Sequence, residues 1–139
     1  MAPGLPTVQI ELEMNATGKG KVVVVNRGSA KVRLWRPGNR WGDETLSFNL
    51  AWDNHTERVT RKPQIYTRNV PASVVVASNG KQDIPFDLGD GSWEPAAAVE
   101  RLSATGTKIT AIYSVRKSPE ALSHHVWTGE LRSPPARLE

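Results

Sequence analysis

Tryptophan and arginine residues in two turn sequences are the side chains best suited to recognition. Arg36, Arg40 and Trp41 surround a Pro-Gly turn, and Trp93 follows a Gly-Ser pair. A large ring in a turn is difficult to bury completely, and exposed Trp and Arg side chains often anchor protein interfaces. We therefore predict a protein-binding surface formed by Arg36, Arg40, Trp41 and Trp93. Flat aromatic rings also stack on other flat ligands, so a carbohydrate-binding surface that uses exposed Trp residues is the alternative.

The other three tryptophans lie in stretches with the composition of β-strands. Trp52 continues an apolar face and Trp127 lies in a strand-like run, so we expect both rings in the core or at its margin. Trp35 shares a strand face with Lys31 and Arg33 if the side chains alternate. That face is a second candidate for an exposed ring next to positive charge.

Residues that carry out catalysis or bind metal ions do not form a recognisable set. The chain has three histidines, His55, His124 and His125, and no cysteine. In a strand, residues 124 and 125 would point to opposite faces, so at most one of them would join His55 in a shared metal site. A serine hydrolase needs a nucleophile beside a histidine and an acidic residue, and no Gly-x-Ser-x-Gly motif is present. We predict a non-catalytic protein with no metal ion and no cofactor.

Three aspartates cluster around a glycine-rich turn. Asp83, Asp87 and Asp90 lie in or next to the sequence Phe-Asp-Leu-Gly-Asp-Gly-Ser. Calcium prefers carboxylate and carbonyl oxygens, but Asp and Gly are also the ordinary residues of a tight turn. The turn lacks the Asp-x-Asp-x-Asp-Gly order of a helix-loop-helix calcium site. A turn and a calcium loop therefore remain open as interpretations.

The spacing of apolar residues predicts strands rather than helices. Leu46, Phe48, Leu50 and Trp52 fall on one face of residues 45–52, which is typical of a half-buried strand. Similar alternation, or a high content of Val, Ile, Tyr and Trp, occurs in residues 8–14, 21–25, 31–35, 64–68, 73–76, 82–88, 107–115 and 126–131. Only 95–102 and 119–124 are candidate helices, each beginning with proline.

Chain length and turn spacing predict one all-β domain. The chain has 139 residues, of which 38% are hydrophobic and 23% charged, and this composition is that of an ordinary globular domain. Turn sequences separate the strand-like runs at nearly even intervals, so we predict an antiparallel β-sandwich of about 7–9 strands. Residues 1–6 and 136–139 are expected outside the ordered domain. A Ser-Pro-Pro sequence at 133–135 is expected to close the last strand.

The order of the strands and turns resembles immunoglobulin-like domains of secreted bacterial proteins. The resemblance is carried by residues 24–32, a strand ending in Asn with a tight turn and a return strand, and by 79–88, 102–115 and 126–134. These segments are also similar to the propeptide domains of deuterolysin-type metallopeptidases. The resemblance covers most of the chain and implies an exported, non-catalytic, immunoglobulin-like module. A protein partner, such as a peptidase that it inhibits, would follow from that class.

Charge and terminal residues bear on partners and location. The net charge is +4 and the isoelectric point is about 9.7, but no dense run of Lys or Arg occurs, so we do not expect nucleic acid as the partner. No apolar run is long enough to span a membrane. The residues at both ends are typical of cloning sites, so we expect that an export signal has been removed. A periplasmic or extracellular location is the prediction.

Overall fold

The computed structural model of the chain describes residues 8–15, 18–36, 44–62, 72–101 and 106–137. Strands make up 56% of these residues and helices 10%, which confirms the predicted all-β class. The strands are β1 (Val8–Met14), β2 (Lys19–Asn26), β3 (Val32–Trp35), β4 (Leu46–Trp52), β5 (His55–Arg61), β6 (Ser73–Val76), β7 (Lys81–Asp87), β8 (Trp93–Glu94), β9 (Lys108–Val115), β10 (Gly129–Arg132) and β11 (Ala136–Arg137). The helices are α1 (Ala96–Glu100) and α2 (Pro119–Ser123).

The strands form two larger sheets and one two-stranded ribbon. The first sheet has the order β1-β2-β7, and the second has the order β10-β9-β4-β5-β8, with β11 also paired to β9. β3 and β6 pair only with each other as strands, and we call this pair the β3–β6 ribbon. Every ladder between strands is antiparallel. The predicted antiparallel arrangement is therefore confirmed for the described residues.

The inner faces of the two larger sheets share one hydrophobic core. Phe86 of β7 and Phe48 of β4 meet between the sheets, with ring centres 4.7 Å apart. Phe48 and Leu50 are fully buried, whereas Asn49 on the opposite face is half-buried. The alternation predicted for β4 is thus confirmed, although Trp52 at its end is only partly buried. Burial of such rings supplies much of the driving force for packing the sheets.

The outer strands and the central strand of the core differ in how many faces they bury. In β1, Val8 and Ile10 are buried while Glu11 is exposed, as the alternation predicts. In β9, Ile109 and also Ile112 on the opposite face are fully buried. β9 therefore is covered on both faces, which its simple alternation does not predict.

Asn26 holds a corner where the β2–β7 pairing continues into the β3–β6 ribbon. Its side-chain amide donates hydrogen bonds to the carbonyl oxygens of Ala30, Val76 and Ala77, at 2.9, 3.1 and 3.2 Å. Its side-chain oxygen accepts from the backbone N–H of Gly28 at 3.0 Å. Asn26 is 1% exposed, so these bonds replace water for every polar atom of the side chain. The ribbon is therefore fixed to the first sheet by a buried polar side chain rather than by a regular ladder.

Several elements differ from the sequence predictions. β5 was not predicted, because Val59 is the only buried residue among its polar side chains. Residues 124 and 125 lie after α2 rather than in a strand, and β10 begins at Gly129. The chain continues past the prolines, since Ala136 and Arg137 pair with β9, contrary to the expectation for these two residues; residues 138–139 lie outside the described part of the chain.

Helix α2 begins where the Ser-Pro sequence predicts. Ser118 is the N-cap, and its hydroxyl accepts a hydrogen bond from the backbone N–H of Ala121 at 3.0 Å. Pro119 occupies the first turn, where no N–H is required. Neither described helix has the length or apolar composition to cross a lipid bilayer.

Candidate functional site

Of the four predicted anchors, only Arg36 and Trp93 lie within the described residues, and they belong to different parts of the fold. Arg36 follows β3 and is exposed, and its backbone N–H donates to the carbonyl oxygen of Ala72 at 2.8 Å. Arg40 and Trp41 lie outside the described residues, as does the predicted strand at 64–68. Trp93 lies elsewhere, in β8 at the edge of the second sheet.

Trp93 is a core residue, which corrects the prediction that its ring stands at the surface. It is 2% exposed, and its ring centre lies 5.3 Å from that of Phe48. β8 pairs with β5 so that Trp93 faces Arg61, whose guanidinium carbon lies 4.6 Å from the ring centre. The guanidinium covers the side of the ring that the core leaves open. A two-residue strand gives no periodic signal, so the sequence could only indicate a turn here.

The other described tryptophans are buried or partly buried. Trp35 is 4% exposed and lies 5.5 Å from the ring of His124, which corrects the expectation of an exposed ring on the face of Lys31 and Arg33. Trp52 and Trp127 are partly buried, as predicted. Trp52 lies between the ring of His55 and the guanidinium of Arg101, and Trp127 stacks on Tyr113.

The three aspartates of the glycine-rich turn have separate structural contacts. Asp83 pairs with Lys21 at 3.2 Å between Oδ2 and Nζ. Asp87 accepts a hydrogen bond from the backbone N–H of Gly89, and Asp90 accepts from Ser92. These are the contacts of an Asx turn. Within the residues that the structure describes, no three His, Asp or Glu side chains lie together as a metal site.

The carboxyl group of Asp90 in this turn has a lowered pKa. Partial burial raises the pKa of the Asp90 carboxyl, but hydrogen bonds from the hydroxyl and backbone N–H of Ser92, together with the charge of Arg61, outweigh it. The pKa of Asp90 is therefore held below its ordinary value, and its carboxylate stays charged at neutral pH.

The β3–β6 ribbon has a strand edge whose backbone groups have no partner in the described parts of the chain. In antiparallel strands, opposite residues alternate between pairs that are hydrogen-bonded and pairs that are not. The hydrogen bond from Arg36 to Ala72 therefore shows which pairs of the ladder are bonded, and we call this the phase of the ladder. Leu34 and Val74 then form a hydrogen-bonded pair, whereas Arg33 and Val75 form a pair without hydrogen bonds between them. The backbone N–H and C=O of Val75 point away from β3, and those of Ser73 do the same.

The opposite edge of the ribbon confirms this phase. The carbonyl oxygen of Arg33, the residue across from Val75, accepts from the backbone N–H of Trp127 at 2.9 Å. Arg33 and Val126 also form a parallel bridge. The edge of β3 is therefore occupied by residues 126–127, whereas no described strand pairs with the outer edge of β6.

The outer edge of β6 differs in side chains from the other strands at the ends of described sheets. β6 has the sequence Ser-Val-Val-Val, with no charge and no proline, and Val75 is 49% exposed. β1 carries exposed Glu11 and Glu13, and β7 carries exposed Pro85, with Asp83 and Asp87 two residues to either side. Charges and prolines on edge strands hinder the addition of another strand. β6 lacks these obstacles.

Positive charge lies beside this edge without a described counter-charge. Lys31 and Arg36 are exposed, Arg33 is half-buried, and residues 31–36 and 72–78 contain no Asp or Glu. Some other described basic residues do pair with acids, as Lys21 does with Asp83. No described carboxylate lies within ion-pair distance of the three basic residues of the ribbon.

Comparison with known proteins adds no assignment to this geometry. No protein-family model, no curated protein and no solved structure matches the chain. The candidate site is therefore defined by the β3–β6 ribbon alone. Sequence analysis identified Arg36 but not Val75 or the role of Arg33. The only local signal was three consecutive valines without a charged residue.

Proposed function

We propose that this chain is a non-catalytic protein-binding module that takes an extended segment of its partner along the outer edge of β6. The observation that carries the proposal is the pair of outward-pointing backbone groups at Ser73 and Val75 on an uncharged strand. An added strand would satisfy these groups with main-chain hydrogen bonds, which is a common mode of peptide recognition. The half-exposed Val75 side chain would contribute an apolar contact.

The setting that we propose for this module is an immunoglobulin-like sandwich of an exported protein. Its support is the pair of packed antiparallel sheets together with the resemblance in residues 24–32 and 79–88. A peptidase is a suitable partner class, because peptidases bind extended chains. Arg40 and Trp41 stay predicted anchors of the interface.

The described residues give less support to a carbohydrate-binding module. Stacking on a sugar requires accessible ring faces, and the rings of Trp35 and Trp93 are buried. Trp52 is partly buried between Arg101 and His55. The carbohydrate alternative therefore depends on Trp41.

Selection from a displayed library of random peptides tests the proposal. We expect selected peptides to lose at least about tenfold in affinity for Val75→Pro, because proline removes the outward N–H and the added strand loses a main-chain bond and its fit. The matched Val75→Thr variant keeps the N–H and should bind within about twofold of the wild type. Equal binding of every selected peptide to the wild type and to Val75→Pro would contradict the proposal.

A panel of purified peptidases tests the partner class separately. We expect one or more to be inhibited by the wild-type chain and to recover activity with Val75→Pro. Inhibition that is indifferent to this substitution would place the inhibitory surface elsewhere.

A further inference from the structure

We infer that the segment bound at β6 is acidic, with carboxylates at alternate positions that pair with Arg33 and Lys31. This inference rests on the proposed function, because it names the chemistry of the segment that the edge of β6 takes. Its basis is the arrangement of positive charge at the β3–β6 ribbon.

Arg33 lies on the same face of the ribbon as Val75, and Lys31 directly precedes β3. Arg33 is directly across from Val75 in the ladder, and side chains of directly opposite residues point to the same face. Lys31 is exposed and lies two residues before Arg33 in the sequence. Val75 is the exposed side chain over which a segment added to β6 would lie. The charge of Arg33 therefore lies on the face that alternate side chains of the segment would share, and the charge of Lys31 lies next to the start of β3.

The distances suit long side chains. Adjacent strands are about 4.8 Å apart, so an added strand would lie about 10 Å from β3, with β6 between them. An extended Arg side chain and a Glu side chain together span this distance. Val75 presents only a small apolar surface between them, and the aliphatic part of Arg33 can lie along such a surface while its charged end reaches the carboxylate.

The ribbon carries positive charge in a stretch of chain that contains no acidic residue. Lys21, Arg27 and Arg132 each lie near a carboxylate of this chain, at 3.2, 3.8 and 3.6 Å. Lys31 and Arg33 have no such partner among the described residues. A partner with carboxylates two residues apart would supply the missing charges, whereas a basic segment would be repelled.

Three synthetic nine-residue peptides test the inference. They share Val at one set of alternate positions and carry Glu, Gln or Lys at the other set, and their affinities are measured by fluorescence anisotropy at low salt. We expect the Glu peptide to bind about three- to tenfold tighter than the Gln peptide, because exposed ion pairs contribute modestly. The Lys peptide should bind most weakly. The preference should shrink at high salt, where exposed charges are screened.

Charge variants assign the preference to this face. The double variant Lys31→Gln and Arg33→Gln should bind the Glu and Gln peptides within about twofold of each other. The matched control, Lys108→Gln and Arg132→Gln, removes the same net charge from the second sheet and should keep the preference. An equal loss in both variants would assign the effect to the net charge of the protein and overturn the inference. If the double variant is destabilised, Arg33→Lys serves as the test instead. It keeps the positive charge and should retain the preference for the Glu peptide over the Gln peptide, and loss of that preference would overturn the inference.

The outcomes separate this inference from the proposed function. If all three peptides bind equally and all weaken with Val75→Pro, the edge binds peptides but the acidic preference is wrong. If no peptide responds to Val75→Pro, both are wrong. If sedimentation shows a dimer that Val75→Pro dissociates, a second copy of the chain occupies the edge and the acidic partner is overturned.

Discussion

β4 and β6 are both short apolar strands, but β4 lies inside a sheet and β6 lies at an edge. β4 pairs with β5 on one side and β9 on the other, and Phe48 and Leu50 at its centre are fully buried. β6 pairs only with β3 among the described strands, and Val75 at its centre is 49% exposed. Strand composition therefore does not decide whether a strand serves the core or presents an edge. The number of neighbouring strands decides it.

The largest contrast between the two strands is expected when a central side chain is shortened. Phe48→Ala should lower the free energy of unfolding by about 3–5 kcal/mol, because it empties a site filled against Phe86 and Trp93. Val75→Ala should lower it by less than about 0.5 kcal/mol, since half of that side chain is in solvent. Urea unfolding measures both. A loss below about 1 kcal/mol for Phe48→Ala would mean that β4 faces the other way.

Proline substitutions in β6 test the hydrogen-bond phase of its two edges. Val74→Pro should cost about 3 kcal/mol, because the N–H of Val74 is bonded to β3. Val75→Pro should cost less than about 1 kcal/mol, since proline is tolerated where an edge N–H faces solvent. Thermal unfolding monitored by circular dichroism compares them. Equal destabilisation would show that the phase deduced from the bond between Arg36 and Ala72 is wrong.

The corner at Asn26 determines whether β6 keeps its position relative to the core. Asn26→Ala removes the buried side-chain donor to three carbonyl oxygens and should cost about 2–3 kcal/mol, although the carbonyl oxygen of Ala77 keeps its bond from the backbone N–H of Gly80. Asn26→Asp is nearly the same size but places a carboxylate oxygen against those carbonyl oxygens, so its cost at neutral pH should be larger still. Urea unfolding at pH 7 measures both variants. A smaller loss of stability for Asn26→Asp than for Asn26→Ala would mean that the volume of the side chain, rather than the hydrogen bonds that it donates, stabilises the corner.

A modest effect of the opposite sign is expected in the core. The hydroxyl of Tyr113 is buried without a hydrogen-bond partner among the described residues, so Tyr113→Phe should raise the free energy of unfolding by about 1 kcal/mol. Urea unfolding at pH 7 measures this change. A loss of more than about 1 kcal/mol would show that the hydroxyl is hydrogen-bonded after all.

Tyr113 also predicts an alkaline loss of stability. Burial raises the pKa of its hydroxyl above the ordinary value of 10.0, so the folded chain keeps a proton that the unfolded chain releases. Its contribution is fully present below pH 10.0 and declines above it, by about 1.4 kcal/mol per pH unit. Unfolding at several alkaline pH values should show a shallower decline for Tyr113→Phe. Identical slopes would mean that Tyr113 ionises equally in both states.

The sequence predicts those parts of the fold that depend on neighbouring residues. The alternation in 8–14 and 45–52 gives the faces of β1 and β4, and the Ser-Pro sequence gives the start of α2. These features follow from side-chain periodicity and from capping, both of which act within a few residues. Their boundaries agree with the structure within one or two residues.

The sequence does not predict features that depend on distant pairing. Trp93 is buried because β8 pairs with Arg61 of β5, and neither element has a local periodic signal. The open edge of β6 is harder to foresee, since a missing neighbour leaves no pattern in the strand itself. Of the candidate site, only Arg36 was predicted. The backbone groups that define the site become visible only when the register of the β3–β6 ribbon is known.

Amide hydrogen exchange in β6 tests the central claim most directly. In the protein alone, the N–H groups of Ser73 and Val75 should exchange rapidly while those of Val74 and Val76 are protected. A saturating amount of the alternating Glu peptide should protect Ser73 and Val75, because their N–H groups would then bond to the added strand. Protection of Ser73 and Val75 before any peptide is added, or rapid exchange of both after the peptide is bound, would contradict the account.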